Sequence, residues 1–223
     1  MLNQAEFVRR MVLNDAARDE GERLPYPHMR DPDQFHYYGG LDLGKMADRS
    51  ALCIIADQEK NPGVYHLGYL KQWPRRCPYT KVASDIKVLY EKFPAYRNMP
   101  LSIDNTGIGT VFSELLDTAG VAYIPITISG GLEEKLHTDD PGSSVPKTQL
   151  VSALQVALES EKIIIHGQLG LKTQLHRQFK AFEAKTSDTG RQLFGARTGH
   201  DDLILALALA LYCVRMGTIQ FFV

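Results

Sequence analysis

Acidic side chains at three separate points of this 223-residue chain share one kind of sequence setting. Asp42 lies inside the apolar run 37–43, and Asp104 ends a short apolar run just before a glycine-rich turn. The pair Asp201 and Asp202 opens a long apolar segment. An ionised carboxylate at the edge of a buried element is costly unless a cation or a basic group meets it. These acids are therefore candidates for one shared polar cleft.

Metal chemistry is the reaction type that such a cleft predicts. Clustered carboxylates repel one another and need positive charge before all of them ionise. Oxygen ligands suit Mg²⁺ or Mn²⁺ better than zinc. Two such ions about 3.5–4 Å apart form a clamp for phosphodiester hydrolysis, which activates water on one side and stabilises the leaving oxygen on the other. The candidate metal ligands and catalytic residues are Asp42, Asp104, Asp201 and Asp202.

Structural roles compete with metal binding at each of these positions. Asp42 could cap a turn, Asp104 could cap the helix that follows it, and the helix dipole favours acids in a first helical turn. Adjacent helical residues point about 100° apart. One of Asp201 and Asp202 is therefore expected to bind metal directly, and the other through water or not at all. We favour Asp202 as the direct ligand.

Other polar residues are candidates for supporting roles. Asp48 could reach the cleft from a turn, Lys147 could contact a phosphate, and His200 could orient an acid. Each is also compatible with an ordinary surface position, and for Asp48 a solvated turn is the stronger interpretation. The candidate DNA-contacting residues are Lys172, His176, Arg177, Lys180, Arg191 and Arg197. The first four of these lie near one helix face, a pattern equally typical of a solvated helix.

Apolar periodicity predicts an α/β fold around the acids. Three closely spaced strands at 37–43, 51–57 and 64–73 form an antiparallel meander, with a turn at 61–63. A strand, glycine turn, helix and strand over 101–128 predict parallel neighbours joined by a right-handed crossover. The expected fold is a mixed central sheet, with an antiparallel meander and parallel strands, flanked by helices.

Segments beyond the meander complete this expected fold. The predicted helices lie at 80–93, 110–118, 147–159, 169–184 and 203–215, the last of them apolar on almost every face. A short strand is expected at 163–166 and a polar hairpin at 186–197. The polar, glycine-rich stretch 129–146 has no periodicity and is predicted to be a loop.

Composition limits the domain organisation and the compartment. We predict an N-terminal helix and linker arm over 1–34 and one compact domain over 35–223. A net charge of −1 gives no overall attraction to nucleic acid, so any polyanion would need a local basic patch. The three cysteines contain no CxxC pair, which favours a reducing compartment and argues against structural zinc. With no signal peptide, and no apolar run that could span a membrane, we expect a soluble intracellular protein.

Three sequence motifs together resemble the nuclease domain of tailed-phage large terminase subunits. They are Gly-Leu-Asp-Leu-Gly-Lys at 40–45, Ser-Ile-Asp-Asn-Thr-Gly-Ile-Gly at 102–109 and Gly-His-Asp-Asp-Leu-Ile-Leu-Ala-Leu-Ala at 199–208. The last motif is the most specific, whereas the first is shared with many ribonuclease H-like proteins. The resemblance extends over about 37–215.

The resemblance implies a ribonuclease H-like fold and a metal-dependent endonuclease that cuts concatemeric viral DNA during genome packaging. It implies two Mg²⁺ or Mn²⁺ ions held by Asp42, Asp104 and one or both of Asp201 and Asp202. The implied partners are double-stranded DNA, a packaging ATPase, a small terminase subunit and a portal, with no membrane. The implied location is the cytoplasm of a bacterial host, for a protein encoded by a phage or prophage.

One departure and three alternatives accompany the resemblance. Full large terminase subunits carry an ATPase whose phosphate-binding loop has no match here, so we expect an excised or separately encoded nuclease domain without ATP-driven translocation. An actin-like or sugar-kinase-type ATPase fragment would place its Asp and glycine turn under phosphates, and ATP hydrolysis would reveal it. A Holliday-junction resolvase would prefer branched DNA. A non-catalytic DNA-binding or adaptor module would have no use for a repulsive carboxylate cluster.

Overall fold

The structure is a computed structural model that describes residues 34–44, 48–107, 109–131, 133–136, 143–167, 169–186, 192–196 and 201–220. Residues 1–33, which hold the predicted N-terminal helix and almost all of the predicted arm, lie outside these ranges. The predicted boundary near residue 35 therefore stays a prediction. The first described strand does begin at Phe35.

Ten strands and five α-helices make up the described part of the chain. The strands are β1 (Phe35–Asp42), β2 (Ala51–Gln58), β3 (Asn61–Gln72), β4 (Leu101–Asp104), β5 (Ile124–Ser129), β6 (Lys135–Leu136), β7 (Ser143–Pro146), β8 (Ile163–Ile165), β9 (Phe182–Thr186) and β10 (Gln192–Ala196). The helices are α1 (Tyr79–Lys92), α2 (Gly109–Ala119), α3 (Lys147–Glu159), α4 (Lys172–Ala181) and α5 (Asp202–Gln220), with a 3₁₀ turn at Pro94–Tyr96.

Eight of the strands form one mixed sheet in the spatial order β6-β7-β5-β4-β1-β2-β3-β8. β1, β2 and β3 are antiparallel neighbours, which confirms the predicted meander. β4 pairs parallel with β1, β5 pairs parallel with β4, and β7 pairs parallel with β5. β9 and β10 form a separate antiparallel hairpin, which was predicted for 186–197 but begins four residues earlier, at Phe182. The expected mixed sheet flanked by helices is therefore confirmed.

The reversal between β2 and β3 lies earlier than predicted. Gln58 pairs with Asn61, so residues 59–60 form the turn and Asn61 already belongs to β3. The register then shifts, and Gly63 adopts a φ of +83°, which glycine tolerates without steric cost. The Gly63 amide donates to Asp57 Oδ1 at 3.0 Å. The Asn-Pro-Gly segment therefore forms an irregularity inside the strand rather than the turn itself.

The stretch 129–146 was expected to be a loop, and that prediction is wrong in part because it contains β6 and β7. These strands span only two and four residues, too few to show an alternating pattern. Tertiary contacts hold the segment instead. Glu134 accepts hydrogen bonds from the Tyr212 hydroxyl at 2.5 Å and from Arg215 Nη2 at 2.7 Å, both in α5.

The core lies on both faces of the sheet. Alternate residues of β2 point to opposite sides: Cys53 and Ile55 pack with the α3, α4 and α5 side, whereas Leu52 and Ile54 pack with the α1 and α2 side. Helix α5 is buried along almost its whole first half, which confirms the predicted sandwiched helix. Among the described residues, no helix is both long and apolar enough to cross a bilayer.

Glycine at position 40 allows α5 to lie directly on β1. A Cβ placed on Gly40 would be 2.1 Å from the Ala206 carbonyl oxygen and 2.3 Å from the Ala210 amide nitrogen. Any side chain there would push the helix away from the strand. This close approach places the amino end of α5 beside the carboxyl end of β1 and fixes the distance between the two motifs that carry acids.

Candidate metal centre

The carboxyl ends of β1 and β4 form the floor of the candidate site. The two strands are parallel neighbours, and Leu41 pairs with Ile103. Asp42 and Asp104, the next residue of each strand, therefore lie side by side at one edge of the sheet. Asp104 Oδ1 accepts a hydrogen bond from the Thr106 amide at 2.8 Å, so the glycine-rich turn after β4 helps to orient this carboxylate.

The amino end of α5 supplies the other two acids. The Asp201 carbonyl accepts the Leu205 amide at 2.9 Å, so Asp201 occupies the capping position and Asp202 the first helical position. Gln178 in α4 is 3% exposed, and its Oε1 accepts the Leu203 amide at 2.9 Å. This bond satisfies one of the amide groups that a helix leaves unpaired at its start and ties α4 to the site.

The electrostatics of Asp42 show that the four acids are gathered together. Burial raises the pKa of Asp42 well above its usual range, and the charges of Asp104, Asp202 and Asp201 raise that pKa further, in this order of effect. Lys147 acts in the opposite direction. The structure thus brings the three predicted acidic motifs, together with one predicted supporting lysine, into a single cluster.

The adjacent acids Asp201 and Asp202 have different partners. Asp202 is 3% exposed, and its Oδ2 accepts a hydrogen bond from Gln72 Nε2 at 2.6 Å. The Asp201 side chain is 19% exposed, and its Oδ2 forms an ion pair with Lys147 Nζ at 2.7 Å. Gln72 ends β3 and Lys147 begins α3, so the two partners approach from opposite sides of β1 in the sheet order.

The donor set of the cluster fits divalent cations that prefer oxygen. Four carboxylates supply only oxygen atoms, and their mutual repulsion at a buried position calls for positive charge. No trio of Asp, Glu, His or Cys side chains in the part of the chain that is described is already arranged to hold one ion. One oxygen of each of the two acids on α5 is engaged instead, Oδ2 of Asp201 by Lys147 and Oδ2 of Asp202 by Gln72.

The described residues at the two ends of the turn between β1 and β2, Gly44 and Ser50, are hydrogen-bonded to each other. The Gly44 amide donates to Ser50 Oγ at 3.1 Å, and the Tyr79 hydroxyl donates to the Gly44 carbonyl at 3.0 Å. A Cβ at Gly44 would lie 2.4 Å from the Arg49 carbonyl carbon, so only glycine fits. Asp48 is exposed at the bend of this turn and is absent from the groups that shift the pKa of Asp42.

The predicted DNA-contacting residues that are described lie on α4. Arg177 and Lys180 are exposed, and Lys172 and His176 are partly buried. Burial lowers the pKa of His176, and the charges of Lys180 and Lys172 lower that pKa further. The remaining candidates, Arg191, Arg197 and the supporting residue His200, lie outside the described residues.

Sequence reasoning missed two glutamines beside the acids. Gln72 ends a strand at the edge of the sheet where Asp42 lies, and a polar residue at that point was the available signal. Gln178 lies between Leu175 and Phe179 on the buried face of α4. A long polar side chain on such a face needs a buried partner, which here is the backbone at the start of α5.

Comparison with known proteins gives one family. The sequence profile of the Terminase RNaseH-like domain family matches residues 39–212. The chain is 25% identical over 190 residues to the large terminase subunit of Thermus phage G20c, and 27% identical over 190 residues to that of Thermus virus P23-45. Each alignment covers 85% of this chain and 34% of the relative, so the chain spans about a third of the length of these curated relatives.

Solved structures with a similar fold are also large terminases. The large terminase nuclease from thermophilic phage G20c has a TM-score of 0.65 and 21% identity, covering 95% of this chain and 98% of that one. The same nuclease with bound magnesium has a TM-score of 0.66 and 21% identity, covering 94% and 96%. The HK97 bacteriophage large terminase has a TM-score of 0.58 and 14% identity, covering 94% of this chain and 42% of that one.

The profile match includes the second half of β1, all of β4 and most of α5, and so includes all four clustered acids. The structural likeness independently supports a ribonuclease H-like arrangement of the sheet and helices. Because the match extends over most of its length, the chain belongs to the terminase RNaseH-like domain family, whose fold is that of the nuclease domain of large terminase subunits.

Proposed function

We propose that this chain is a divalent-metal-dependent endonuclease that cuts double-stranded viral DNA during genome packaging. The observation that carries the proposal is the buried carboxylate of Asp42, surrounded by three further carboxylates at the carboxyl edge of β1 and β4. Buried groups with strongly perturbed pKa values are typical of functional sites. Relatives named as large terminases, and structures of such nucleases with bound magnesium or cobalt, support the same conclusion.

Three carboxylates would hold two Mg²⁺ or Mn²⁺ ions: those of Asp42, Asp104 and Asp202. Asp42 and Asp104 are presented side by side by parallel strands, and Asp202 is presented by the helix that lies on β1. When bound, the ions supply charge for the scissile phosphate and lower the pKa of an attacking water molecule. Gln72 keeps the Asp202 carboxylate in one orientation through its Nε2 donor.

The reaction is hydrolysis of one phosphodiester. A water oxygen forms a new bond to phosphorus, the bond from phosphorus to one sugar oxygen breaks, and that oxygen leaves with a proton. The amino end of α5 faces the cluster, and the positive end of its dipole favours the negative charge that accumulates there. Burial of Asp42 and Asp202 strengthens every electrostatic interaction at the site because the surroundings polarise less than water.

Incubation of supercoiled plasmid with Mn²⁺, Mg²⁺ or EDTA tests the proposal. We expect conversion to nicked and linear forms with either metal, with little sequence preference, and no cutting in EDTA. Asp42→Asn should abolish the cutting, whereas Asp117→Asn, which changes an exposed acid on α2, should leave it intact. Intact plasmid after hours with Mn²⁺, or cutting that persists in EDTA, would contradict the proposed mechanism.

The biological setting extends the same proposal. We infer that the chain acts in the cytoplasm of a bacterial host, encoded by a phage or prophage, with double-stranded DNA, a packaging ATPase, a small terminase subunit and a portal. Membership of a terminase family supports this setting. Cutting of a four-way junction in preference to linear duplex would instead favour a junction resolvase. Co-purification of the tagged chain with a packaging ATPase from infected cells would test the partner.

A further inference from the structure

We propose that Lys147 contacts a phosphate oxygen of the DNA strand being cut, and that Asp201 is the residue that positions Lys147 for this contact. The inference rests on the proposed nuclease function and deepens it. It assigns different roles to two adjacent acids: Asp202 would bind the metal ions, and Asp201 would hold the Lys147 side chain in position.

The first argument is the different environments of the two acids. Asp202 is nearly inaccessible and accepts a hydrogen bond from Gln72. Asp201 precedes the helix, is more exposed, and has its Oδ2 engaged by an ammonium group at 2.7 Å. A carboxylate that holds a lysine at this distance has a strong alternative to metal coordination.

The second argument is the position of Lys147. It is the first residue of α3 and directly follows the buried end of β7, so its backbone is fixed from both sides. Its side chain is 30% exposed, and its Nζ lies 2.7 Å from Oδ2 of Asp201 at the amino end of α5. The ammonium group therefore lies at the border between the acidic cluster and solvent, where a bound DNA strand would meet it. An ammonium group has three donor hydrogens, and the pair with Asp201 uses one of them.

The third argument is charge balance. With all four carboxylates deprotonated, as metal binding favours, and with Lys147 protonated, these five side chains carry four negative charges and one positive charge, a formal total of −3. Two divalent ions would change this to +1, which matches the single negative charge of a phosphodiester. Without the lysine, the same site with two ions would be neutral and would gain less from binding the phosphate. A cation at the edge of an ion site is a recurring means of stabilising charge on a transferring phosphoryl group.

Lys147→Met separates this role from simple neutralisation of the metal-free site. It keeps the length of the side chain and removes the charge. The first measurement is the increase in melting temperature that Mn²⁺ causes in the DNA-free protein. For this variant the increase should equal that of the wild type or should appear at a lower Mn²⁺ concentration, because a competing cation is gone. Single-turnover cutting of plasmid at saturating Mn²⁺ should nevertheless slow by about a hundredfold, the loss typical of removing one donor to transition-state charge.

The matched control is Lys87→Met. Lys87 lies on the exposed face of α1 with its side chain 47% exposed, so this variant removes the same charge away from the site. It should cut at the wild-type rate. Lys147→Arg, which restores a cation, should recover part of the lost rate. Lys147→Met cutting as fast as wild type at saturating Mn²⁺ would overturn the inference while leaving the nuclease proposal in place.

Asp201→Asn tests the positioning role. It should lower the maximal rate in the same direction as Lys147→Met, keep its stabilisation by Mn²⁺, and add no further loss when combined with Lys147→Met. Asp202→Asn should instead lose the stabilisation by Mn²⁺. Equal loss of metal-induced stabilisation in Asp201→Asn and Asp202→Asn would show that Asp201 is a direct ligand and overturn its assignment. The thermal measurements test the assignment of Asp201 even if the wild type fails to cut DNA. Failure of the wild type to cut would contradict the proposed nuclease function and not the assignment of Asp201.

Discussion

At the scale of single residues, repulsion among the clustered carboxylates is unfavourable for the stability of the metal-free protein. Asp42 has 9% of its surface exposed, and three like charges act on it, with Lys147 as an opposing cation. Natural proteins commonly trade stability for function at such positions. The loss of stability should be measurable by replacing Asp42 with Asn, because a carboxyl and an amide have nearly the same shape.

Asp42→Asn should stabilise the metal-free protein while abolishing cleavage. In EDTA near neutral pH we expect a gain of about 1 kcal/mol in the free energy of unfolding. Because the pKa of Asp42 is raised in the folded state, that state binds more protons than the unfolded chain, and wild-type stability falls as the pH rises above the ordinary Asp pKa. The advantage of the variant should therefore grow with rising pH and vanish below about pH 4.

Adding Mg²⁺ supplies the control for this prediction. At ten times its dissociation constant the metal should stabilise the wild type by about 1.4 kcal/mol, and the variant by less. The gap between the two proteins should narrow or reverse. A variant that is less stable than wild type in EDTA would show that Asp42 serves as a structural hydrogen-bonding group.

The residues that sequence reasoning found and those it missed differ in one physical respect. An acid inside or at the end of an apolar run is conspicuous because burial of a charge is costly, and this predicted all four cluster members: Asp42, Asp104, Asp201 and Asp202. The roles of Gln72 and Gln178 come from the tertiary structure. Each glutamine contacts a group on α5 that is more than 20 residues away in the chain, and a local sequence pattern cannot predict such a distant partner.

At the scale of elements, Asp85 joins β3 to α1. Its carboxylate accepts hydrogen bonds from Lys71 and Trp73, at the end of β3 and just after it, and from Lys81 within α1. Partial burial alone would raise the pKa of Asp85, but these donors outweigh it and lower the pKa to about 2. Lys71 and Trp73 flank Gln72, so their bonds to Asp85 also restrain the end of β3 from which Gln72 contacts Asp202.

Asp85→Asn should destabilise the protein by about 1 kcal/mol near neutral pH, a value reduced for partial screening by solvent. A lowered folded-state pKa gives stability that is present above the unfolded pKa of about 4 and is lost as the pH falls through 2. The difference between wild type and variant in urea unfolding should therefore shrink between about pH 5 and pH 2. A difference that stays constant over this range would mean that packing, and not charge, makes the contribution.

The contact between β1 and α5 gives a second prediction at this scale. Gly40→Ala should cost about 3 kcal/mol, because the new methyl group would overlap the backbone at Ala206 and Ala210. Gly130→Ala is the matched control, since a Cβ at Gly130 meets no atom within 4 Å. Thermal unfolding of both variants measures the difference. Equal stability of the two would mean that α5 shifts along β1 without penalty.

Element length explains which parts of the fold could be predicted. The meander and α5 have long apolar patterns. The predicted bounds of the meander strands agree with the structure to within three residues, whereas α5 continues five residues beyond its predicted end. β6 and β7 are too short for a pattern and depend on Glu134 and on pairing with β5. α4 is shorter than expected because the chain turns into β9 at Phe182, where a helical pattern continues in the sequence.

At the scale of the whole molecule, near-neutral charge limits DNA binding. With a net charge of −1, the isolated chain can form few phosphate contacts. We expect weak binding to duplex DNA in Ca²⁺, with a shallow dependence on salt between about 50 and 200 mM, measured by fluorescence anisotropy. A loss of about a thousandfold over this range would indicate six or more phosphate contacts and would contradict the prediction.

The close packing of α5 on Gly40 of β1 also determines when the acidic cluster can form during protein synthesis. The acids belong to sequence positions 42, 104 and 201–202, so the ribosome must extend the chain far beyond β1 before the cluster is complete. Until α5 emerges, a nascent chain carries only two of the four carboxylates and leaves the strand at Gly40 uncovered. The acidic cluster therefore assembles only after α5 has been synthesised, so translation products that end before residue 201 would lack it.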